Sequence, residues 1–380
     1  MRRLFIFISF LLFLASLSSF SAKYLKELDV LAPLETIKSD IATIKESSTL
    51  TAIIHQLVQE ANEYLIVLED TVDNLLLLDK PNQSSHVEKP QLMTPSEQVF
   101  SVNNIELGNY KTDVEQIMGS AKRISSNEYG TEWHTYHKDY HLFSMIAYDN
   151  NDQVVGLYTN QDLIASTIGI KFGSPKETVR KQLGEPLTEI RKGMVFYRFE
   201  ANADFDMYLL DDQYITVFYD KHQGNIVTSI QIIDRSLERG KSTFYTESSQ
   251  HLIEGFEYQL FDLVNATRVN HGLQTLTWDE HIKETARKHS EDMAINQYFN
   301  HTNLEGESPF DRMLEDGIVY SVAGENLASG QQSSIFAHEG LMNSLGHREN
   351  ILHEDFSFLG VGVAFNSEQQ PFFTQNFYRK

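Results

Sequence analysis

The sequence predicts an α+β protein in three parts: an N-terminal helical stalk, a central duplicated α+β domain, and a C-terminal sandwich of helices and strands. Three observations carry that prediction. Apolar residues spaced alternately by four and three run from Ile54 to Leu75, the seam of a coiled coil or helical hairpin. A helix-plus-strands unit occurs twice between residues 98 and 240. From residue 253 onward, helix-period segments come first and two strand-period segments close the chain, as in a layered sandwich.

The chain has 380 residues, too many for one ordinary core, which implies two folded domains with accessory segments. Hydrophobic residues make up 41% and charged residues 22%, a globular balance. A net charge of −22 excludes a nucleic-acid partner, which needs clustered Lys and Arg. It also disfavours anionic lipid and wall polymers unless cations bridge them. The absence of cysteine removes disulfides, thiolate metal sites and a Cys nucleophile together.

Taken in order, Arg2 and Arg3 precede an apolar run from Leu4 to Phe20, followed by Ser21 and Ala22. Residues 1–22 therefore read as an export signal, either cleaved or retained as an anchor, since the run is close to the roughly 20 residues a span requires. Residues 23–80 form the stalk or hairpin. Ile37, Ile41 and Ile44 begin its pattern, Ser47-Ser48-Thr49 interrupts it, and Ile54, Val58, Ala61, Leu65, Leu68, Val72 and Leu75 continue it. Residues 54–78 serve either self-association or packing on a neighbouring helix of the same chain. Residues 81–97 are polar and proline-containing and read as a linker.

The duplication lies within residues 98–240. LGNYKTDVEQIMG at 107–119 matches FGSPKETVRKQLG at 172–184, placing Gly108 on Gly173, Val114 on Val179 and Gly119 on Gly184. Residues 143–158 resemble residues 214–230, each a pair of alternating strands around a turn, Asp149-Asn150-Asn151 in one and Gln223-Gly224-Asn225 in the other. Two copies alone predict one pseudo-symmetric domain, not a solenoid. The cluster Trp133, His134, Tyr136, His137, Tyr140 and His141 reads as half-buried sheet, and presentation or partner binding as the domain's role. Residues 241–252 form a second polar linker.

In residues 253–380, Phe256, Leu260, Leu263, Val264 and Thr267 share one helix face, ended by Gly272. A second helix follows Trp278, with Ile282, Ala286, His289 and Met293 on a common face. Ser308-Pro309 opens a short helix, and Ser333 or Ser334 caps another running to about Asn343. Two strands, 358–365 and 371–378, finish the chain. His301, Glu325 and His347 lie in three short segments between these elements, and His and Glu are suitable ligands for a zinc-like metal. No zincin, nucleophile-elbow, Walker or dinucleotide motif is present, and Asp149–Asp152 lacks the Glu of an EF-hand loop.

NATRVNHGLQTLTWD, FNHT, SPFDRM, AGENLASG, LMNSLGHRENIL, FLGVGVA and FFTQNFY, in this order, resemble the CAP superfamily of cysteine-rich secretory, antigen 5 and pathogenesis-related 1 proteins. The duplicated region is similar to the CAP-associated N-terminal domain of secreted bacterial proteins. The resemblance implies an α-β-α sandwich with a cavity where two His and two acidic groups gather, often around zinc. Carried over by position, the metal ligands are His301, Glu325 and His347. Leu341 stands where other members carry Trp, and Ser344 where they carry the second Glu, so Ser344 is expected in the cavity. Glu339, five residues from Ser344, is about 140° away round a helix and does not replace it.

Two readings of the cavity stay open: a divalent site, with Zn2+ the first choice and water in the open position, or a hydrogen-bonded cavity without metal. Glu325 could ligate, orient an imidazole or act as base. Asn326 is expected to bond its own loop, and Arg348 to pair with a carboxylate or cap carbonyls. The functional expectation is an exported, secreted or membrane-anchored CAP-domain protein, its cavity taking a metal, small ligand or envelope partner with no demonstrable reaction. The alternative is a metal-assisted hydrolase acting on peptide or wall material with Glu325 as base.

Overall fold

The computed structural model describes residues 87–200 and 203–380, and residues 87–380 form one unit. The expected export segment, the helical stalk and the 54–78 self-association surface lie outside the described residues. The end of the expected linker is tied down: Glu106 accepts the backbone N–H groups of Ser96, Glu97 and Gln98, and Pro95 is buried.

The front domain runs β1 (Phe100–Val102), α1 (Lys111–Met118), β2 (Arg123–Ser126), β3 (Glu132–Lys138), β4 (His141–Tyr148), β5 (Val154–Thr159), β6 (Ile164–Ser166), α2 (Lys176–Leu183), β7 (Glu189–Lys192), β8 (Val195–Arg198), β9 (Phe205–Leu210), β10 (Gln213–Asp220), β11 (Ile226–Asp234) and α3 (Arg235–Gly240). Seven strands make one sheet in the order β2-β3-β4-β5-β11-β10-β9. The copies meet at its middle, where β5 and β11, the last sheet strand of each, pair antiparallel with Leu157 opposite Ile232.

The repeat is visible in detail. Helices α1 and α2 each end on a glycine at positive φ, Gly119 and Gly184, whose N–H bonds back to Glu115 or Arg180. Val114 and Val179 are both fully buried in one core with Leu157 and Ile232. The copies diverge at β7 and β8, which leave the sheet as a separate hairpin with Val195 and Phe196 exposed.

The C-terminal domain comprises α4 (Gln250–Asn270), β12 (Thr277–Trp278), α5 (Glu280–Asn296), α6 (Pro309–Glu315), β13 (Val322–Ser329), α7 (Ser334–Met342), α8 (Leu345–Ile351), β14 (Phe358–Phe365) and β15 (Pro371–Arg379). Its sheet has the order β12-β14-β15-β13. One face packs on α4 and α7 through Phe256, Leu260, Ala337, Leu341, Val361, Val363 and Phe373. The other carries α5, so the expected α-β-α layering is present. Helix α5 approaches so closely that a Cβ on Gly362 would lie 2.0 Å from the Arg287 nitrogen. That is why a strand otherwise rich in large apolar residues carries Gly at 360 and 362.

Two expectations need correcting. The Gly324–Asn326 segment is strand rather than loop, paired along β15 with Glu325 opposite Asn376. Its Gly and polar residues lower strand propensity, and the β15 ladder overrides them. A side chain at Gly324 would meet Phe356 at 2.9 Å. Nor do residues 241–252 separate two independent bodies. Lys241 is buried, Ser249 caps α4, and Leu263, Ala266 and Ile335 share one core with Trp133, Phe143, Met145, Tyr158 and Phe218 of the front sheet. Helix α4 is thus covered by both domains. Most of its buried polar groups are paired: Gln259 bonds Ser125 and Ser334, Asp262 takes Arg123 and Tyr140, Asn265 brackets Leu276, and Arg268 donates to the Gln274, Ile351 and His353 carbonyls, with only its Nη2 left over.

Candidate functional site

His301 follows the end of α5, in a turn where Asn300 Oδ1 accepts the Thr302 N–H at 3.0 Å. Its Nδ1 lies 2.9 Å from Glu325 Oε1 on β13. A carboxylate only accepts, so Nδ1 carries a proton, and in the neutral ring the lone pair is on Nε2, on a side chain that is half exposed. The other Glu325 oxygen accepts Arg312 Nη2 at 2.7 Å. Arg312 Nη1 also donates to the His301 carbonyl at 2.8 Å and to the Glu307 carbonyl at 3.1 Å. Helix α6 delivers that arginine because Ser308 and Asp311 form a reciprocal capping box, with Pro309 at the first helical position. Glu325 is 1% exposed by side chain and Arg312 9%, a buried charge pair with a fixed imidazole on its outer side.

His347 sits on α8, which is fastened to β13. Asn326 Nδ2 donates to the His347 carbonyl at 3.0 Å and to Gln375 at 3.1 Å. Asn350 donates to the Glu325 carbonyl and to Asn326 Oδ1. The ring of His347 makes no hydrogen bond among the described residues, and its Nδ1 is buried without a partner. Burial pushes its pKa down, and the nearby His301 pushes the same way. Behind the pair, buried His289 bonds the Asn300 carbonyl through Nε2 at 3.0 Å, with Nδ1 unpartnered. Burial lowers its pKa against the pull of the Glu325 charge.

The structure therefore joins His301 to Glu325 and hangs His347 from the same strand. Ser344 occupies the N-cap of α8 and makes no side-chain cap bond. Arg348 does both things expected of it, donating to the Met342 carbonyl and pairing with Asp220 of the front domain at 2.9 Å. Glu339 points away, accepting Tyr158 and Ser229 hydroxyls of the front sheet at 2.6 Å each. Sequence reading missed Arg312, although it lies in the SPFDRM segment, and took His289 for simple packing. An arginine one turn into a capped helix gives no local sign of the carboxylate it will meet.

Two chemical consequences follow. Both Glu325 oxygens are engaged and the side chain is buried, so it orients His301 and is not placed as a general base. If a proton is to be taken here, His301 Nε2 is the placed acceptor. The expected three-ligand set is also not formed: among the described residues no group of three His, Asp or Glu side chains is placed to hold a metal ion. Arg312 in addition occupies one Glu325 oxygen and offsets its charge. Two imidazoles with unused nitrogens remain, and water would have to complete any ion's shell.

An α-β-α sandwich of this topology, with a carboxylate-held histidine beside a second one, is the arrangement of a CAP domain. Residues 261–377 match the cysteine-rich secretory protein family and residues 107–244 the CAP-associated N-terminal family, so the chain carries a CAP domain with that associated domain in front. It is 29% identical over 293 residues to the uncharacterized membrane protein YlbC of Bacillus subtilis, covering 72% of this chain and 82% of that one. It is 39% identical over 140 residues to the uncharacterized protein YkwD of the same organism, covering 37% of this chain and about half (53%) of YkwD. Among solved structures, an extracellular SCP-domain protein from Bacillus anthracis matches with TM-score 0.62 and 26% identity over 77% of this chain and all of that one. A Staphylococcus aureus cysteine-rich secretory protein matches in fold, with TM-score 0.57 and 15% identity over 76% of this chain and 97% of that one. No helix among the described residues is long and apolar enough to cross a membrane.

Proposed function

We propose that this is an exported CAP-domain protein of the cell envelope, secreted or held by residues 1–22, whose C-terminal cavity takes a divalent cation or small polar ligand through His301 and His347. The observation that carries the reading is the buried Glu325–Arg312 pair, which fixes His301 in one tautomer and leaves Nε2 of a half-exposed ring unused. His347, on the strand-anchored helix α8, is a second imidazole whose ring makes no hydrogen bond among the described residues. A bound cation would supply Lewis acidity. The chain's own residues hold and orient: Glu325 sets the tautomer, Arg312 balances its charge, and Asn326 and Asn350 fix α8. Export is supported by the basic start and apolar run at residues 2–20, and by the extracellular description of the Bacillus anthracis relative.

Metal analysis of the full chain, before and after chelation and re-addition of Zn2+, tests this. About one ion per chain is expected, lost in His301→Ala and in His347→Ala but with folding retained. A chain that takes up no ion, or takes it up equally in both variants, refutes the metal half of the proposal.

A further inference from the structure

A cavity of about 690 Å³ opens far along the chain from the His301 site, between β3, the β4–β5 turn and the segment leading into α4. Its floor is His134 and Tyr148, and Lys111, Glu132, Asn150 and Asp152 stand on its walls. Glu247 and Ser249, just before α4, close it from the C-terminal side. The volume is within the range of about 300–1,000 Å³ usual for small-ligand sites.

The polar groups here are unusually idle. His134 is 7% exposed, yet neither ring nitrogen has a hydrogen-bond partner among the described residues, and Nδ1 is wholly buried. Its ring meets Tyr148 edge-on at 4.9 Å. Lys111 pairs with no carboxylate among the described residues, resting instead 5.5 Å from the Tyr148 ring centre. Nor does any described side chain hydrogen-bond or ion-pair with Glu132, Asn150, Asp152 or Glu247. A buried imidazole nitrogen without a partner, here Nδ1, costs free energy unless something else satisfies it, while Nε2 is left open to whatever enters the cavity. Burial first, and then the Lys111 charge, push the His134 pKa down to about 4, with Asp152 opposing, so the ring is neutral at pH 7 and both donates and accepts.

We propose that this cavity is a binding site for an uncharged polyhydroxylated ligand, a short saccharide, held by His134 at its floor and by Glu132, Asp152 and Lys111 around it. The chemistry selects that class. Three free carboxylates against one ammonium repel anions. The ammonium beside the floor opposes a cation reaching His134. A hydroxyl, by contrast, donates to a carboxylate and accepts from ammonium, amide or imidazole, using every idle group at once. Apolar ligands would strand the same groups.

Titration of the full chain with maltotriose, cellotriose and tri-N-acetylglucosamine, read by calorimetry and by emission from Trp133, tests the proposal, with spermidine and inorganic phosphate as charged probes. At least one trisaccharide is expected to bind saturably. Its affinity should fall about tenfold in Glu132→Gln and in His134→Gln, the scale of a lost hydrogen bond to a charged or buried group, and stay unchanged in His301→Ala. Glu132 is exposed, so its variant keeps the test valid should His134→Gln misfold. The proposal is overturned if no trisaccharide binds by about 10 mM. It is equally overturned if binding ignores Glu132→Gln, or if spermidine or phosphate occupies the site instead.

Discussion

Glu339 ties stability to pH in a way that can be worked from the structure. It projects from α7 into the front sheet, where Tyr158 and Ser229 donate to the same Oε1 at 2.6 Å. Burial pushes its pKa from an ordinary 4.5 up to about 7; the two hydroxyls pull it down and the charge of Asp220 pushes it up. A folded-state pKa above the unfolded one means the native state binds the extra proton. The stabilisation is then complete below about pH 4.5 and lost as pH rises through about 7. At 1.36 kcal/mol per pKa unit the loss across that window is about 3 kcal/mol. Glu339→Gln keeps an acceptor for both hydroxyls and removes the titration. Urea denaturation of both proteins at about pH 5 and about pH 8 isolates the effect, because other titrating groups cancel in the difference. The wild type should lose about 2.5 kcal/mol relative to the variant on going to the higher pH, most of the full-window figure. A wild-type-minus-variant difference that is the same at both pH values refutes the reasoning.

Three further outcomes are expected. Glu325→Ala leaves the Arg312 guanidinium buried without its counter-charge and should cost about 3–5 kcal/mol in denaturant unfolding, with part recovered when Arg312→Met is added; no recovery would mean the pair is not the cause. Gly362→Ala drives a methyl into the α5 backbone, 2.0 Å from the Arg287 nitrogen, and should lower stability by about 3 kcal/mol or more, so an unchanged Tm would contradict the packing described. Asp220→Asn removes the charge that holds Arg348 from across the domain junction and should cost about 1–3 kcal/mol. It should also shift the His347 ring resonances, since residue 348 adjoins it, and unmoved resonances would show that the front domain does not support α8.

Much of the architecture could be read from local pattern, because the features concerned are local. The repeat showed itself through Gly108, Gly119, Val114 and their partners, since positive-φ caps and a buried valine are demanded within each copy. Ser308-Pro309 announced α6 because capping is settled within four residues. The histidines and Glu325 could be picked out because their motifs occur in order. What each does could not. Whether Glu325 is a ligand, a base or an orienting group depends on Arg312, thirteen residues away in sequence but 2.7 Å away in space.

The amino-acid order alone settled the fold class, the duplication, the lack of thiol chemistry and the three positions around which the C-terminal domain is built. Only the tertiary structure decided that GEN is strand, that α4 is a core element of both domains, and that a buried arginine claims the carboxylate. The physical reason is common to all three. Propensity and capping act over a few residues, whereas ladder pairing, burial on two sides and charge pairing are fixed by which distant segments come to lie together.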